Sequence, residues 1–227
     1  MDMLEKKYNV MWETSQAHIA EQGVDIDPNI YSNCDNRKGI TVIAKFSSDS
    51  GVEICQSFEK LKRIEPKQYY YSENELHLTV LSLISCRESF DISQVNIDDY
   101  IATINKAIVD IKPFDINIKG ITASSSCIML QGFPVTDNLL NLRNNLRIYF
   151  EQSQLFNTID ERYKIDTAHV TIVRFQRKLK RNKEFLQLLE QFRKLDLGVL
   201  HVKELQLVYN DWYHKEDNTE ILSTIKL

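Results

Sequence analysis

The stretch TAHVTIVRF, residues 167–175, is predicted to form a β-strand that carries a histidine and a threonine two positions apart. Val170 and Ile172 are strong β-formers, and they alternate with the two polar side chains. Residues two apart in a strand point to the same face of the sheet. His169 and Thr171 are therefore predicted to lie side by side on one surface of a largely apolar strand.

A second stretch, ELHLTVLSL at residues 75–83, repeats this spacing with His77 and Thr79. Around both stretches the sequence alternates between strand and helix patterns, and each histidine falls in the middle strand of a strand-helix-strand-helix-strand unit. The units begin at Gly39 and Cys127, which lie 38 and 42 residues before their histidines. The chain is thus predicted to contain an internal duplication of architecture.

The predicted fold class is α+β, with two duplicated units forming a bilobal molecule, helices on the outer faces of the sheets and a central cleft. An open sheet face on each side of that cleft would present the histidines without burying them in the core. The segments of the first unit are ITVIAKF, VEICQSFEKLK, ELHLTVLSLI, DDYIATINKAIVDI and FDINIKGI, and those of the second are CIMLQGF, DNLLNLRNNLRIYFEQ, IDTAHVTIVRF, NKEFLQLLEQFRKL and HVKELQLVYN, with ILSTIKL as a last strand.

The domain organisation predicted from these patterns is a helix and loop over residues 1–36, followed by one bilobal domain over residues 37–227. The first lobe is predicted to span about 37–122 and the second about 123–227. The N-terminal helix is expected to lie on the body of the protein through an apolar face formed by Leu4, Tyr8, Met11 and Ile19.

The composition is that of an ordinary globular protein, with 227 residues, 43% hydrophobic and 26% charged. With a net charge of −4, the surface as a whole should not attract nucleic acid, so a polyanion would need a local patch. No apolar run approaches the roughly 18 residues that span a bilayer, and MDMLEKKYNV lacks a secretion signal. The four scattered cysteines favour reduced thiols. We therefore expect a cytoplasmic monomer with no membrane association and no obligate protein partner.

Two imidazoles that face each other across a cleft can share one acid-base reaction, because histidine gives or takes a proton near neutral pH. In-line displacement at phosphorus needs the attacking and leaving oxygens on opposite sides, which histidines on opposite walls would serve. The threonine hydroxyls would donate to non-bridging phosphate oxygens. No Asp, Glu and His cluster has the spacing of metal ligands, so no metal or other cofactor is predicted.

Paired His-x-Thr motifs in a duplicated strand-helix scaffold resemble the 2H phosphoesterase superfamily, over about residues 37–227. The resemblance implies a metal-independent phosphodiesterase in which His77, Thr79, His169 and Thr171 are catalytic. It leaves open whether the substrate is a 2′,3′-cyclic phosphate at an RNA end, a 2′,5′ linkage or a small cyclic nucleotide. A non-catalytic sensor of phosphorylated nucleotides in the same cleft is the alternative.

Weaker candidates for substrate binding surround the motifs. Tyr70 and Tyr71 precede the first motif strand, where a ring could stack on a nucleobase. Arg37 could donate to a phosphate. Tyr209, in VYNDWYHKEDN, could belong to a second aromatic platform, although a packed corner is the favoured interpretation of that segment.

The remaining polar candidates have less support than the two motifs. Arg174 lies an odd number of positions from His169, so it is predicted to face away from it unless a bulge intervenes. His201 and His214 have no threonine partner and are predicted to be structural or exposed. A cysteine-histidine acyl hydrolase that uses Cys86 or Cys127 is a third hypothesis, although no spacing places either thiol beside a histidine.

Overall fold

The computed structural model describes residues 3–32 and 34–227. The strands are β1 Lys38–Lys45, β2 Tyr69–Tyr70, β3 His77–Arg87, β4 Phe114–Ala123, β5 Cys127–Pro134, β6 Ala168–Arg174, β7 Asp196–Val202, β8 Glu204–Asp211 and β9 Glu220–Lys226. The α-helices are α1 Met3–Gln22, α2 Ser48–Ser57, α3 Glu59–Ile64, α4 Ile97–Ala107, α5 Asn138–Ser153 and α6 Asn182–Phe192.

The strands form two antiparallel sheets. The first sheet has the order β3-β1-β8-β9 and the second the order β2-β6-β5-β4-β7. Helices α4 and α5 pack on each other and contact β9 and β3, whereas α1 and α6 pack on β4. The predicted α+β class, with sheets covered by helices, is confirmed.

The division between the sheets does not follow the lobe boundary expected near residue 122. The first sheet takes β1 and β3 from the first half of the chain and β8 and β9 from the second, while β2 and β4 belong to the second sheet. The reason lies in HVKELQLVYN, which is two strands rather than one. Lys203 separates β7, which pairs with β4, from β8, which pairs with β1. The chain crosses between the sheets at this point.

Helix α1 packs on strand β4 of the second sheet and on helix α6. Its buried face consists of Tyr8, Trp12, Ser15 and Ile19, so Trp12 takes the place that the sequence assigned to Met11. The hydroxyl of Tyr8 donates to the carbonyl of Gly132 (3.2 Å) and accepts from the backbone N–H of Ala168 (3.0 Å). The helix thereby supports the start of the second motif strand.

No helix within residues 3–32 and 34–227 is both long enough and apolar enough to cross a membrane.

Candidate active site

Strand β3 contains a β-bulge immediately after its His-x-Thr motif. Val42 of β1 lies opposite Leu81, and the next residue, Ile43, lies opposite Thr79, which leaves Val80 as an extra residue. An extra residue changes which face the following side chains point to.

Strand β6 contains the same irregularity at the same place. Ile128 of β5 lies opposite Val173 and Met129 lies opposite Thr171, which leaves Ile172 as the extra residue. In both strands the unmatched residue is therefore the third after the histidine. The duplication extends beyond residue types to the backbone of the two motifs.

The bulges bring the residue five positions after each histidine back to the face that carries the motif. This residue is Ser82 in β3 and Arg174 in β6, and both line the cleft together with His77 and His169. The prediction that Arg174 faces away from His169 is wrong, because the bulge that the parity argument named as its exception is present.

The structure brings all four motif side chains to one cleft, where β3 and β6 approach each other. The lining residues are Thr41, Tyr71, His77, Thr79, Leu81, Ser82, Ser85, Cys86, Asp160, Arg162, Tyr163, Ile165, His169, Thr171, Arg174, Asn210, Trp212 and His214.

The His77 imidazole is fixed by a hydrogen bond from its Nδ1 to the carbonyl of Glu75 (2.7 Å). A carbonyl oxygen only accepts, so Nδ1 carries a proton and Nε2 is the nitrogen that titrates. Burial lowers the pKa of His77 to about 4, against the effect of the Glu75 carbonyl, and Lys45, His169 and Arg174 add to the lowering. His77 is therefore neutral at pH 7 in the free cleft.

His169 has a different environment. Its Nδ1 lies 2.7 Å from Oγ1 of Thr167, a hydroxyl that both donates and accepts. Burial lowers the pKa of His169 to about 4, and the charges of Arg143 and Arg174 act in the same direction, whereas Asp166 opposes them. Two arginines thus favour the neutral imidazole, and within the described part of the chain no backbone carbonyl accepts from His169 as that of Glu75 does from His77.

Arg174 and Tyr71 form a polar pair in the cleft. Nε of Arg174 donates to the hydroxyl of Tyr71 (3.0 Å), and its guanidinium carbon lies 5.6 Å from the ring centroid of Tyr213. The guanidinium is held in place by this bond, its other N–H groups have no hydrogen-bond partner among residues 3–32 and 34–227, and the cleft gains a permanent positive charge.

A third histidine, His214, also lines the cleft, a position that the sequence did not indicate. Its ring centroid lies 4.1 Å from that of His77, and the rings are tilted by 35°. Asn210 Nδ2 lies 3.0 Å from His214 Nε2. Burial holds the pKa of His214 well below its usual range, and His77 contributes to the shift.

The turn that presents His214 is organised by Asp211. One carboxylate oxygen of Asp211 accepts from the backbone N–H groups of Tyr213 (3.0 Å) and Lys215 (3.1 Å), an arrangement typical of Asp-initiated turns. His214 adopts the left-handed conformation at φ 54°. The signal in the sequence is an aspartate at the end of a largely apolar strand, and it does not indicate where His214 points.

The two tyrosines predicted at the rim point in different directions, as consecutive residues of an extended segment do. Tyr71 lines the cleft. Tyr70 instead lines a separate groove, and its hydroxyl donates to the carbonyl of Glu65 (3.0 Å).

Arg37 and Tyr209, the other predicted substrate contacts, are not among the residues that line the cleft. Arg37 makes a two-pronged ion pair with Asp35 at 2.6 and 2.8 Å, which directs two of its N–H donors to that carboxylate. Tyr209 packs its ring against Phe90, with centroids 6.1 Å apart.

Cys86 lines the cleft, but its environment opposes nucleophilic chemistry. Its Sγ contacts Asn210, and burial raises the pKa of the thiol to about 12, so the thiolate is scarce at pH 7. Cys127 is buried beside Ser124. Both observations disfavour the acyl hydrolase. Within the described ranges, no group of three or more His, Cys, Asp or Glu side chains is arranged to hold a metal ion.

Two helix-covered antiparallel sheets with a His-x-Thr motif on each side of one cleft are the arrangement of the 2H phosphoesterase superfamily. Residues 44–227 match the family described as AKAP7 2'5' RNA ligase-like domain, and the chain belongs to this family. The match leaves out helix α1 and most of β1. No curated protein matches the chain.

Solved structures share the fold at low sequence identity. TT0787 of Thermus thermophilus is 16% identical, with a TM-score of 0.58 over 83% of this chain and 97% of that one. E. coli LigT complexed with 3'-AMP is 14% identical, with a TM-score of 0.55 over 85% and 99% of the two chains. A further structure, described as a phosphoesterase, is 15% identical with a TM-score of 0.55 over 85% and 99%.

Proposed function

We propose that this protein is a phosphodiesterase that hydrolyses a nucleotide or RNA-end phosphodiester by general acid-base catalysis with His77 and His169. The observation that carries the proposal is that two His-x-Thr motifs with the same bulge line one cleft. The candidate substrates are a 2′,3′-cyclic phosphate, a 2′,5′ linkage and a small cyclic nucleotide. LigT, a structural neighbour, has been crystallised with 3'-AMP, which makes a nucleoside 3′-phosphate a suitable first ligand to test.

The charge of the cleft supports an anionic substrate even though the whole chain carries a net charge of −4. Arg174 and Arg162 line the cleft, and hydroxyl donors come from Thr79 and Thr171. The guanidinium carbon of Arg162 lies 4.2 Å from the ring centroid of Trp212. A half-buried indole beside an arginine is a suitable surface for stacking a nucleobase near the phosphate.

In the proposed hydrolysis of a cyclic phosphate, His169 is the base and His77 the acid. Nε2 of His169 takes a proton from water, the water oxygen bonds to phosphorus, and the phosphorus–oxygen bond to the ribose breaks on the opposite side. Nε2–H of His77 gives its proton to the leaving oxygen. Thr79 and Thr171 donate hydrogen bonds to the non-bridging oxygens, where negative charge accumulates.

The assignment of roles rests on the second nitrogen of each ring. The Glu75 carbonyl accepts from His77 Nδ1 and stabilises a protonated ring, which suits an acid. Arg143 and Arg174 both disfavour protonation of His169, which suits a base. The negative charge of a bound phosphodiester would raise the pKa of His77 from its value in the free cleft and supply the acid form.

One observation favours the alternative, a sensor that binds a phosphorylated nucleotide without turnover. Burial leaves both His77 and His169 neutral at pH 7 in the free cleft, so no acid is present until an anion binds. Binding without cleavage would follow if the bound anion failed to protonate His77.

A hydrolysis panel in EDTA separates these functions. The panel comprises 2′,3′-cyclic, 2′,5′-linked and 3′,5′-linked nucleotides, tested with the wild-type protein, His77→Ala and His169→Ala. Each variant is expected to lose about 10²–10⁴-fold in kcat. His201→Ala is the matched control, because His201 is exposed and pairs with Asp115 away from the cleft. Binding of 3'-AMP without turnover of any panel member by the wild type would establish the sensor instead.

A further inference from the structure

Arg143 of helix α5 lies directly behind the two motifs and is only 4% exposed. Its Nε donates to the carbonyl of Val80 (2.8 Å), and one terminal nitrogen donates to the carbonyls of Thr79 (2.9 Å) and Thr167 (2.9 Å). Thr79 belongs to the first motif, and Thr167 lies two residues before the histidine of the second. One guanidinium therefore links β3 to the residue that directly precedes β6.

The three hydrogen bonds from Arg143 to backbone carbonyls depend on the planar shape of its guanidinium group. Thr79 and Val80 lie at the bulge of β3, an outer strand of its sheet, where carbonyl groups lack a regular sheet partner. The planar guanidinium presents its N–H donors at fixed angles, so three carbonyls held by it have fixed relative positions. A lysine would reach the same place with a single nitrogen and without this fixed geometry.

The charge of Arg143 is not neutralised by an adjacent carboxylate. All three of its hydrogen-bond partners are backbone carbonyls, and no ion pair to it is present among residues 3–32 and 34–227. Burial lowers the pKa of Arg143 to about 10, so it remains protonated at pH 7. A buried unpaired cation is costly for folding, which favours a role for the charge at the site.

We propose that Arg143 is a positioning residue that fixes the two His-x-Thr strands relative to each other and keeps a positive charge beside His169. The inference rests on the proposed function, because the geometry that it maintains is that of the acid-base pair. The charged and titratable groups that act electrostatically on His169 are Arg143 from α5, Arg174 from β6, Asp166 from the preceding loop and His77 from β3, and Asp160, Arg162, Tyr163 and His214 line the same cleft. When Arg143 is removed, only Arg174 still counteracts the effect of Asp166, which raises the pKa of His169.

Two variants separate the charge from the geometry. Arg143→Met removes both, whereas Arg143→Lys keeps the charge and loses the fork of donors. In Arg143→Met, the pKa of His169 measured by NMR titration is expected to rise, with a smaller change at His77, and kcat is expected to fall about 10²-fold with KM little changed. In Arg143→Lys, the His169 titration is expected to stay near that of the wild type while kcat still falls.

Arg193→Met is the matched control. Arg193 is half-buried and donates to the carbonyl of Ile121 (2.6 Å) in the second sheet, and it does not line the cleft. This variant also loses an arginine-carbonyl bond, but it is expected to leave kcat and the titration of His169 unchanged.

An unchanged His169 titration in folded Arg143→Met would overturn the inference, and so would wild-type kcat in folded Arg143→Lys. If Arg143→Met does not fold, the lysine variant alone decides. Failure of the proposed function has a different signature, since the wild-type protein would then hydrolyse no substrate. The NMR titration needs no turnover and would still test the placement of the charge.

Discussion

The hydroxyl of Tyr8 supports the second motif strand from helix α1, and Tyr8→Phe removes that hydroxyl alone. Tyr8 is fully buried, and its ring packs edge-on against Phe133 with centroids 5.5 Å apart, a contact that phenylalanine retains. The variant leaves the N–H of Ala168 without its partner and removes one donor from the carbonyl of Gly132. An unpaired buried N–H costs about 1–3 kcal/mol and a lost hydrogen bond about 1 kcal/mol, so the free energy of unfolding should fall by about 2–4 kcal/mol.

Urea unfolding at pH 7 measures this change. With a denaturant dependence of about 3 kcal/mol/M, the midpoint should fall by about 1 M at an unchanged m-value. Tyr31→Phe is the control, because Tyr31 is 63% exposed, and surface substitutions change stability by less than about 0.5 kcal/mol. Since Ala168 precedes His169, kcat should fall as well. A midpoint shift below about 0.2 M would refute the view that α1 stabilises the motif strand through this hydroxyl.

The profile of kcat/KM against pH should be bell-shaped, with both limbs below pH 6.5, where unperturbed imidazole titrates. The reason is that burial lowers the pKa of His77 and of His169 to about 4 in the free protein. Limbs centred on pH 6.5 would contradict these environments. The profile of kcat should lie at higher pH, since a bound anion favours the imidazolium. The free energy of unfolding should fall as pH decreases from about 6.5 towards 4, because the unfolded chain binds more protons in that window, with a slope of up to about 1.4 kcal/mol per pH unit for each histidine. A His77→Asn, His169→Asn double variant that kept the full wild-type slope in urea unfolding would exclude these residues as the cause. Arg174→Met should raise KM for a phosphodiester at least about 10-fold by removing a cation from the cleft, whereas Tyr71→Phe should have a smaller effect, and equal KM values for Arg174→Met and the wild type would argue against phosphate binding there.

The motif strands and the fold class are predictable from the sequence because they depend on local periodicity. His-x-Thr in an apolar strand specifies two side chains on one face, and the structure brings both pairs to one cleft. The bulges are less visible, since the extra residues Val80 and Ile172 are ordinary β-formers and no glycine or proline marks the break. The sequence therefore predicts that Arg174 faces away from His169 unless a bulge intervenes, and it does not reveal the bulge.

Strand partners and the third histidine depend on contacts between residues far apart in the chain. HVKELQLVYN reads as one strand because no glycine or proline interrupts it, and only the pairing of its two parts with β4 and β1 divides it at Lys203. His214 reaches His77 through a turn whose course follows from the Asp211 carboxylate and the left-handed backbone. Neither feature has a periodic signature.

The crossing at Lys203 also restricts how the cleft can move. Two lobes made of separate chain halves would be able to rotate about a hinge and close on a ligand. Here a single residue separates strands that belong to different sheets, and each sheet contains strands from both halves. A rigid-body rotation of one sheet would therefore strain the backbone where the chain passes between them. We therefore expect the shape of the cleft to change through movements of side chains and of segments such as residues 154–167, which carry Arg162 and Tyr163 at the cleft.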